Sequence, residues 1–217
     1  MTSTFFPPPD FRKLAGDLDC RLEFNGASAS RPAVALPAAR RLTRKPSARR
    51  FLDLRGQADA ARSLLSPLPK TGESVHALLA GDFVLAAMVP AMLDAIGPCA
   101  LRVSSLGTNQ PTAAMFAELM QTHKLTKLDM VLSHFFANAD MSTFALIRQT
   151  IEDAGGRVIA TRSHTKLALF APQTGPGRYV FEGSGNLRSS QNAEQLTVSN
   201  DAKLFQFYHR WFNEILK

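Results

Sequence analysis

The chain changes character near residue 70. Before it, apolar residues follow no sustained period. After it, apolar runs of strand length alternate with helical patterns. Ser74 to Ala80 reads as a buried strand and Phe83 to Ile96 as a helix, with Asp82 as its N-cap and Gly97-Pro98 as its stop. Cys99 to Leu106 is strand-like. Pro111 opens the next helix near its favoured first position, and that helix ends near His123. Leu128 to Phe135 is a further strand. Asp140 caps a helix with Phe144, Ile147 and Ile151 on one face, closed by Gly155-Gly156. Arg157 to Thr161, His164 to Phe170 and Arg178 to Phe181 are read as strands. In the last segment, Ala202 to Leu216, the spacing of Leu204, Phe207, Tyr208, Trp211, Phe212 and Ile215 marks an amphipathic helix. The alternation predicts an α/β domain over residues 71–217. It has a mixed, mainly parallel sheet flanked by helices on both faces.

Residues 1–70 read as a basic, partly irregular N-terminal extension. Pro7-Pro8-Pro9 and Pro46 interrupt helix, and Gln57 to Leu65 is the clearest helical stretch. The net charge of +7 sits here: residues 1–70 carry 13 Lys/Arg against 6 Asp/Glu, and residues 71–217 carry 12 of each. Such asymmetry suits contact with an anionic polymer or surface, and equally a solubilising tail. No apolar run reaches the roughly 18 residues of a membrane span, so no membrane insertion is expected. Pro7-Pro8-Pro9 stands where a secretory leader needs its apolar core. Two widely spaced cysteines, Cys20 and Cys99, complete the case for a cytoplasmic setting.

Chemistry concentrates near the C-terminus. His164 and Lys166 stand two apart in a strand-like run, which puts imidazole and ammonium on one face. Gly183-Ser184-Gly185-Asn186 is a polar turn after the next strand, followed by Asn192 and Glu194. Together they form a kit for phosphoryl chemistry. Each has an ordinary reading alone: a hydrogen-bonded strand histidine, a solvated lysine, turn residues, an exposed carboxylate. Arg188 and Gln191, in the loop after the turn, and Asn192 are placed to touch substrate beyond the scissile phosphate or to be solvated. His134 stands at a strand end, where open α/β sheets place their sites; His76, His123 and His209 read as structural or surface residues. No His/Cys/Asp/Glu grouping has zinc or calcium spacing, so no metal and no cofactor is expected.

The combination His164-x-Lys166, Gly183-Ser184-x-Asn186 and Asn192-x-Glu194 resembles the phospholipase D superfamily, in particular its small, single-motif, nuclease-like branch. The resemblance covers residues 74–216. One position departs from the pattern, with Ala171 where the family has aspartate. The resemblance implies a metal-independent phosphodiesterase, in the first place an endonuclease on DNA. In it His164 attacks phosphorus and forms a phosphohistidine. Lys166, Ser184 and Asn186 hold phosphate oxygens, and Glu194 orients His164. A second histidine comes from another copy of the chain across a two-fold axis. Two alternatives stay open: a non-catalytic nucleic-acid-binding or scaffold protein that keeps the phosphate pocket, and a phospholipid phosphodiesterase or transferase. The basic extension favours nucleic acid, since Lys/Arg contacts to phosphates bind irrespective of base sequence.

Overall fold

The computed structural model describes residues 61–80, 85–188 and 192–217. In chain order the elements are β1 (Ser74–Ala80), α1 (Leu85–Ile96), β2 (Cys99–Ser105), α2 (Gln110–Gln121), β3 (Leu125–Ser133) and α3 (His134–Ala139). There follow α4 (Met141–Asp153), β4 (Arg157–Thr161), β5 (Leu167–Pro172), β6 (Tyr179–Gly183), β7 (Ala193–Asn200) and α5 (Ala202–Ile215). Expectations for residues 1–60, for Asp82 as a cap and for Gln191 lie outside the described residues.

Helix starts follow local side-chain chemistry. Asn109 Oδ1 accepts from Thr112 N at 2.9 Å to open α2. Asp140 Oδ1 accepts from Thr143 N at 3.1 Å to open α4, and these bonds hold its exposed carboxyl below the usual range. Asp201 does the same for α5 through Lys203 N and Leu204 N. After α4 the chain turns through Gly155 at φ +86°, a left-handed conformation that favours glycine.

Among the described residues the strands form one sheet in the order β1-β7-β6-β5-β2-β3-β4. The α/β class with a mixed sheet and helices on both faces holds. The expectation of a mainly parallel sheet does not. Only β2–β3 and β3–β4 are parallel, while β1–β7, β7–β6, β6–β5 and β5–β2 are antiparallel. The reason is connectivity. Parallel neighbours need a crossover, which α2, α3 and α4 supply in the N-terminal half. From β5 to β7 no helix intervenes among the described residues, and the chain folds back strand by strand.

The two sheet faces are covered unequally. On one, α1, α2 and α4 bring Met88, Met92, Phe116, Ile147 and Ile151 onto Leu101, Met130, Leu132 and Phe170, all deeply buried. Ala61 and Leu65 join this cluster, and Asn200 Nδ2 donates to Pro69 O at 3.1 Å, so residues 61–70 pack on the core. On the other face, among the described residues, α5 alone lays Phe205, Phe212 and Leu216 on Val131, Leu167, Leu169 and Val180. It covers β6, β5 and the strands beyond them. The outward positions of β1, Ser74, His76 and Leu78, stay exposed.

Phe212 is the fully buried anchor of α5, and Phe207 on the same helix is 58% exposed. Phe212→Ala is expected to lower stability by about 3–5 kcal/mol. Phe207→Ala should stay within about 0.5 kcal/mol of the parent. Urea denaturation monitored at Trp211 measures both; similar midpoints for the two variants would refute this account of α5.

Candidate active site

Three strand ends converge on the expected site. β2 stops at Ser105 and β6 at Gly183, so the chain before Leu167 runs out of ladder partners on both sides. His164 and Lys166 therefore lie in the connection leading into β5, not within the strand as the periodicity predicts. The segment is still held extended. Thr165 Oγ1 shares a hydrogen bond with Ser104 Oγ at 2.6 Å and another with Ser163 Oγ at 2.9 Å. Gly183 N donates to Lys166 O at 3.3 Å. With Thr165 tied to β2, its two neighbours stand together on the open side. Lys166 Nζ lies 2.7 Å from His164 Nδ1, 3.4 Å from Nε2, and donates to His164 O at 3.0 Å.

The Gly183-Ser184 turn is fixed by β7. A side chain at Gly183 would put its Cβ 2.3 Å from Gln195 O, closer than any real contact. Ser184 N donates to Gln195 O at 3.1 Å, and Gln195 N donates to Ser184 Oγ at 3.0 Å. Ser184 Oγ in turn donates to Glu194 Oε2. Glu194 is only 8% exposed and braces the turn from behind. This bond takes the place of the one expected between Glu194 and His164, whose ring is engaged by Lys166. Gly185 is not under the same constraint: its Cβ would sit 3.7 Å from Glu194, an ordinary contact.

Asn186 is half-buried. Its Oδ1 accepts from Leu106 N at 3.3 Å and Ser105 Oγ at 3.4 Å, and its carbonyl accepts from Leu85 N at 3.3 Å. Its amide oxygen is thereby committed to the scaffold, and any contact with an anion falls to Nδ2.

His164, Lys166 and Ser184 share one open groove of about 940 Å³. Burial holds the Lys166 ammonium below the ordinary lysine value, and the neighbouring Glu194 carboxylate partly offsets this. Arg188 and Asn192 are exposed and do not line the groove. His134 lines a second cavity, which shares His164 with the first. Among the described residues no group of three or more His, Cys, Asp or Glu side chains could hold a metal ion. No helix among them is long and apolar enough to cross a membrane.

The groove also recruits His76, which the sequence reading assigns to structure or surface. Leu167, Glu182, Thr197 and His76 form one row across β5, β6, β7 and β1. His76 Nδ1 lies 3.0 Å from Thr197 Oγ1 and lines the same groove. Tyr208 of α5 donates its hydroxyl to Glu182, and burial together with that carboxylate pushes the phenol up to about 12. The available signal was the alternation Ser74, His76, Leu78, which puts three residues on the face that α5 does not reach.

A phospholipase D family member, Nuc from Salmonella typhimurium, superposes with a TM-score of 0.50 at 14% identity, over 65% of this chain and 93% of that one. The chain has a phospholipase D-like fold. A polyphosphate kinase from Porphyromonas gingivalis is also similar, with a TM-score of 0.48 at 13% identity, over 64% of this chain. The match spans only a quarter of the kinase's length. No family model matches the sequence, and no curated protein does. Within this phospholipase D-like fold the His164-x-Lys166 segment and the Gly183-Ser184 turn meet at one groove although 17 residues separate Lys166 from Ser184.

Gly183→Ala is expected to destabilise the domain by about 1–3 kcal/mol, as overpacking against fixed backbone does. Gly185→Ala should cost far less. Equal urea midpoints for the two variants would show that the clash at Gly183 is relieved elsewhere.

Proposed function

We propose that the protein is a phosphodiesterase, an endonuclease that works without a metal through a phosphohistidine, at a site shared by two copies of the chain. One observation carries the reading: an imidazole and a half-buried ammonium stand in contact at the mouth of an open groove, beside a braced Gly-Ser turn. The phospholipase D-like fold agrees with it.

The chemistry follows from these groups. With Lys166 donating to Nδ1, the neutral ring carries its proton on Nε2. A phosphate oxygen competes for the same ammonium. As Lys166 turns to the substrate, Nδ1 is released and the ring can attack phosphorus. The phosphorus–oxygen bond to the leaving group breaks, and that oxygen takes a proton from a second histidine, contributed as His164 of the other copy. Water then attacks the phosphohistidine and gives a proton to the second histidine, which returns to its protonated form, while the phosphorus–nitrogen bond breaks and the imidazole is regenerated. Lys166, and Asn186 through Nδ2, stabilise the charge on the non-bridging oxygens. Glu194 acts on the site through Ser184 and through its field at Lys166. The basic residues of 1–70 supply salt-dependent affinity for a nucleic-acid backbone.

Incubation of the purified protein with plasmid and single-stranded DNA in EDTA tests the reaction. Cleavage should persist in EDTA and disappear in His164→Ala. If both proteins bind DNA and neither cuts it, the chain is a binder that retains a phosphate pocket. Cleavage of phospholipid vesicles with no effect on DNA would move the substrate class to lipid.

The shared site makes a separate prediction. Sedimentation at assay concentration should give a dimer, and cleavage should fall with dilution below its dissociation constant. A monomer with full activity would require the leaving-group acid to come from the same chain.

A further inference from the structure

The second cavity beside His164 has a different character from the groove. It measures about 540 Å³, opens to solvent and is lined by Leu106, Ser133, His134, Phe135, Arg162 and His164, among others. These residues stand at the carboxyl ends of β2, β3 and β4, the parallel part of the sheet, where open α/β sheets bind their ligands. The size falls in the range of small-molecule sites.

Phe135 is the unexpected residue. It is 70% exposed, while its neighbour Phe136 is buried, packs edge-on to Phe144 at 6.3 Å and blocks the space beside Gly107. Ser133 Oγ accepts from Phe135 N at 3.0 Å and fixes the start of α3. The short helix is thus held by Phe136 and Ser133 while Phe135 stays at the surface. An aromatic ring in the open, with an exposed guanidinium at Arg162, an exposed imidazole at His134 and, among the described residues, no carboxylate in the lining, suits a flat, polar-edged, anion-linked group. A nucleobase has that chemistry. An acyl chain does not, because four of the six residues named are charged or polar.

We propose that Phe135 and Arg162 form a subsite for the nucleobase next to the phosphate held at His164, so that the chain takes unpaired, single-stranded nucleic acid. This rests on the reading of the neighbouring groove as a phosphodiester site. Stacking on an aromatic ring is tolerant of base identity but requires the base to leave its duplex partner. The ring supplies the stacking surface, and the guanidinium supplies the phosphate or base-edge contact.

The test is fluorescence anisotropy with the full chain at fixed salt, using a labelled single-stranded oligonucleotide and an abasic strand of equal length. The parent should prefer the base-bearing strand by about 5- to 150-fold, the equivalent of about 1–3 kcal/mol of stacking per base. Phe135→Ala should lose this preference, and Phe135→Trp should keep it. A duplex of the same length should bind the parent no better than the abasic strand. Unchanged preference in Phe135→Ala overturns the proposal. So does equal weakening toward both strands, or conversion of a dimer to a monomer, which would assign Phe135 to a subunit contact. Hydrolysis of bis(p-nitrophenyl) phosphate by the parent reports on the groove alone. Its absence beside an intact base preference counts against the phosphodiesterase reading and leaves the subsite standing.

Discussion

The groove exists because β6 can run against β7 at Gly183 with no side chain between them. A methyl group there would meet the Gln195 carbonyl at 2.3 Å. That close approach lets Ser184 exchange hydrogen bonds with Gln195 and donate its hydroxyl to Glu194. It also lets Gly183 N reach Lys166 O, which sets where Lys166 leaves the ladder. Lys166 in turn holds the ring of His164. Push β6 and β7 apart by the width of a methyl group and the chain of contacts loses its origin, from Gln195 through Ser184 and Lys166 to the imidazole.

The incomplete cover provided by α5 is the second condition. The helix buries Leu167, Leu169 and Val180 but does not extend over β1 and β7. Ser74, His76 and Thr197 are left as a polar strip on the sheet surface, continuous with the groove at Lys166. Adjacent strands lie about 4.8 Å apart, so His76, three strands from Leu167, stands roughly 14 Å away. On the phosphodiester reading proposed above, that is beyond contact with a single phosphate at His164, but within the length of an extended polymer lying across the strands. Tyr208 marks the border: its hydroxyl on Glu182 ties the helix to the rim of the groove.

Much of the fold was legible where apolar spacing is regular and helix ends carry capping residues. β1, β2 and β4, with α2, α4 and α5, lie where apolar periodicity and capping residues put them. β7 was not. Its inward row is Glu194, Leu196, Val198 and Asn200, so polar residues stand at both ends of the face that should read as apolar. Those two residues have structural work: Glu194 braces Ser184, and Asn200 receives Arg178 N and donates to Pro69 O. Needed contacts thus erased the pattern that would reveal the strand. α3 escaped for a different reason, since six residues are too few to show a helical period. At the site, residue types and spacing put His164 and Lys166 side by side correctly. The partner of Glu194 was not legible, because a carboxylate between a hydroxyl and an imidazole is decided by a few ångströms of backbone placement.

Ala171, where the family pattern has aspartate, can now be weighed by position. It lies in β5 opposite Ala100 of β2 and packs on the α5 cluster. Five residues of strand at about 3.3 Å each put it about 16 Å from Lys166, on the side facing α5. A carboxylate there could not reach a phosphate bound at His164. It would instead be set against an apolar helix face, at a desolvation cost unless a cation met it. The nearest strong cation on that face of β2, Arg102, is already engaged by Asp129 at 3.1 Å and by Asn213 Oδ1 at 2.6 Å. Alanine at 171 therefore belongs with the aromatic packing of α5, and the departure from the pattern concerns how that helix is attached, not which groups line the groove at His164.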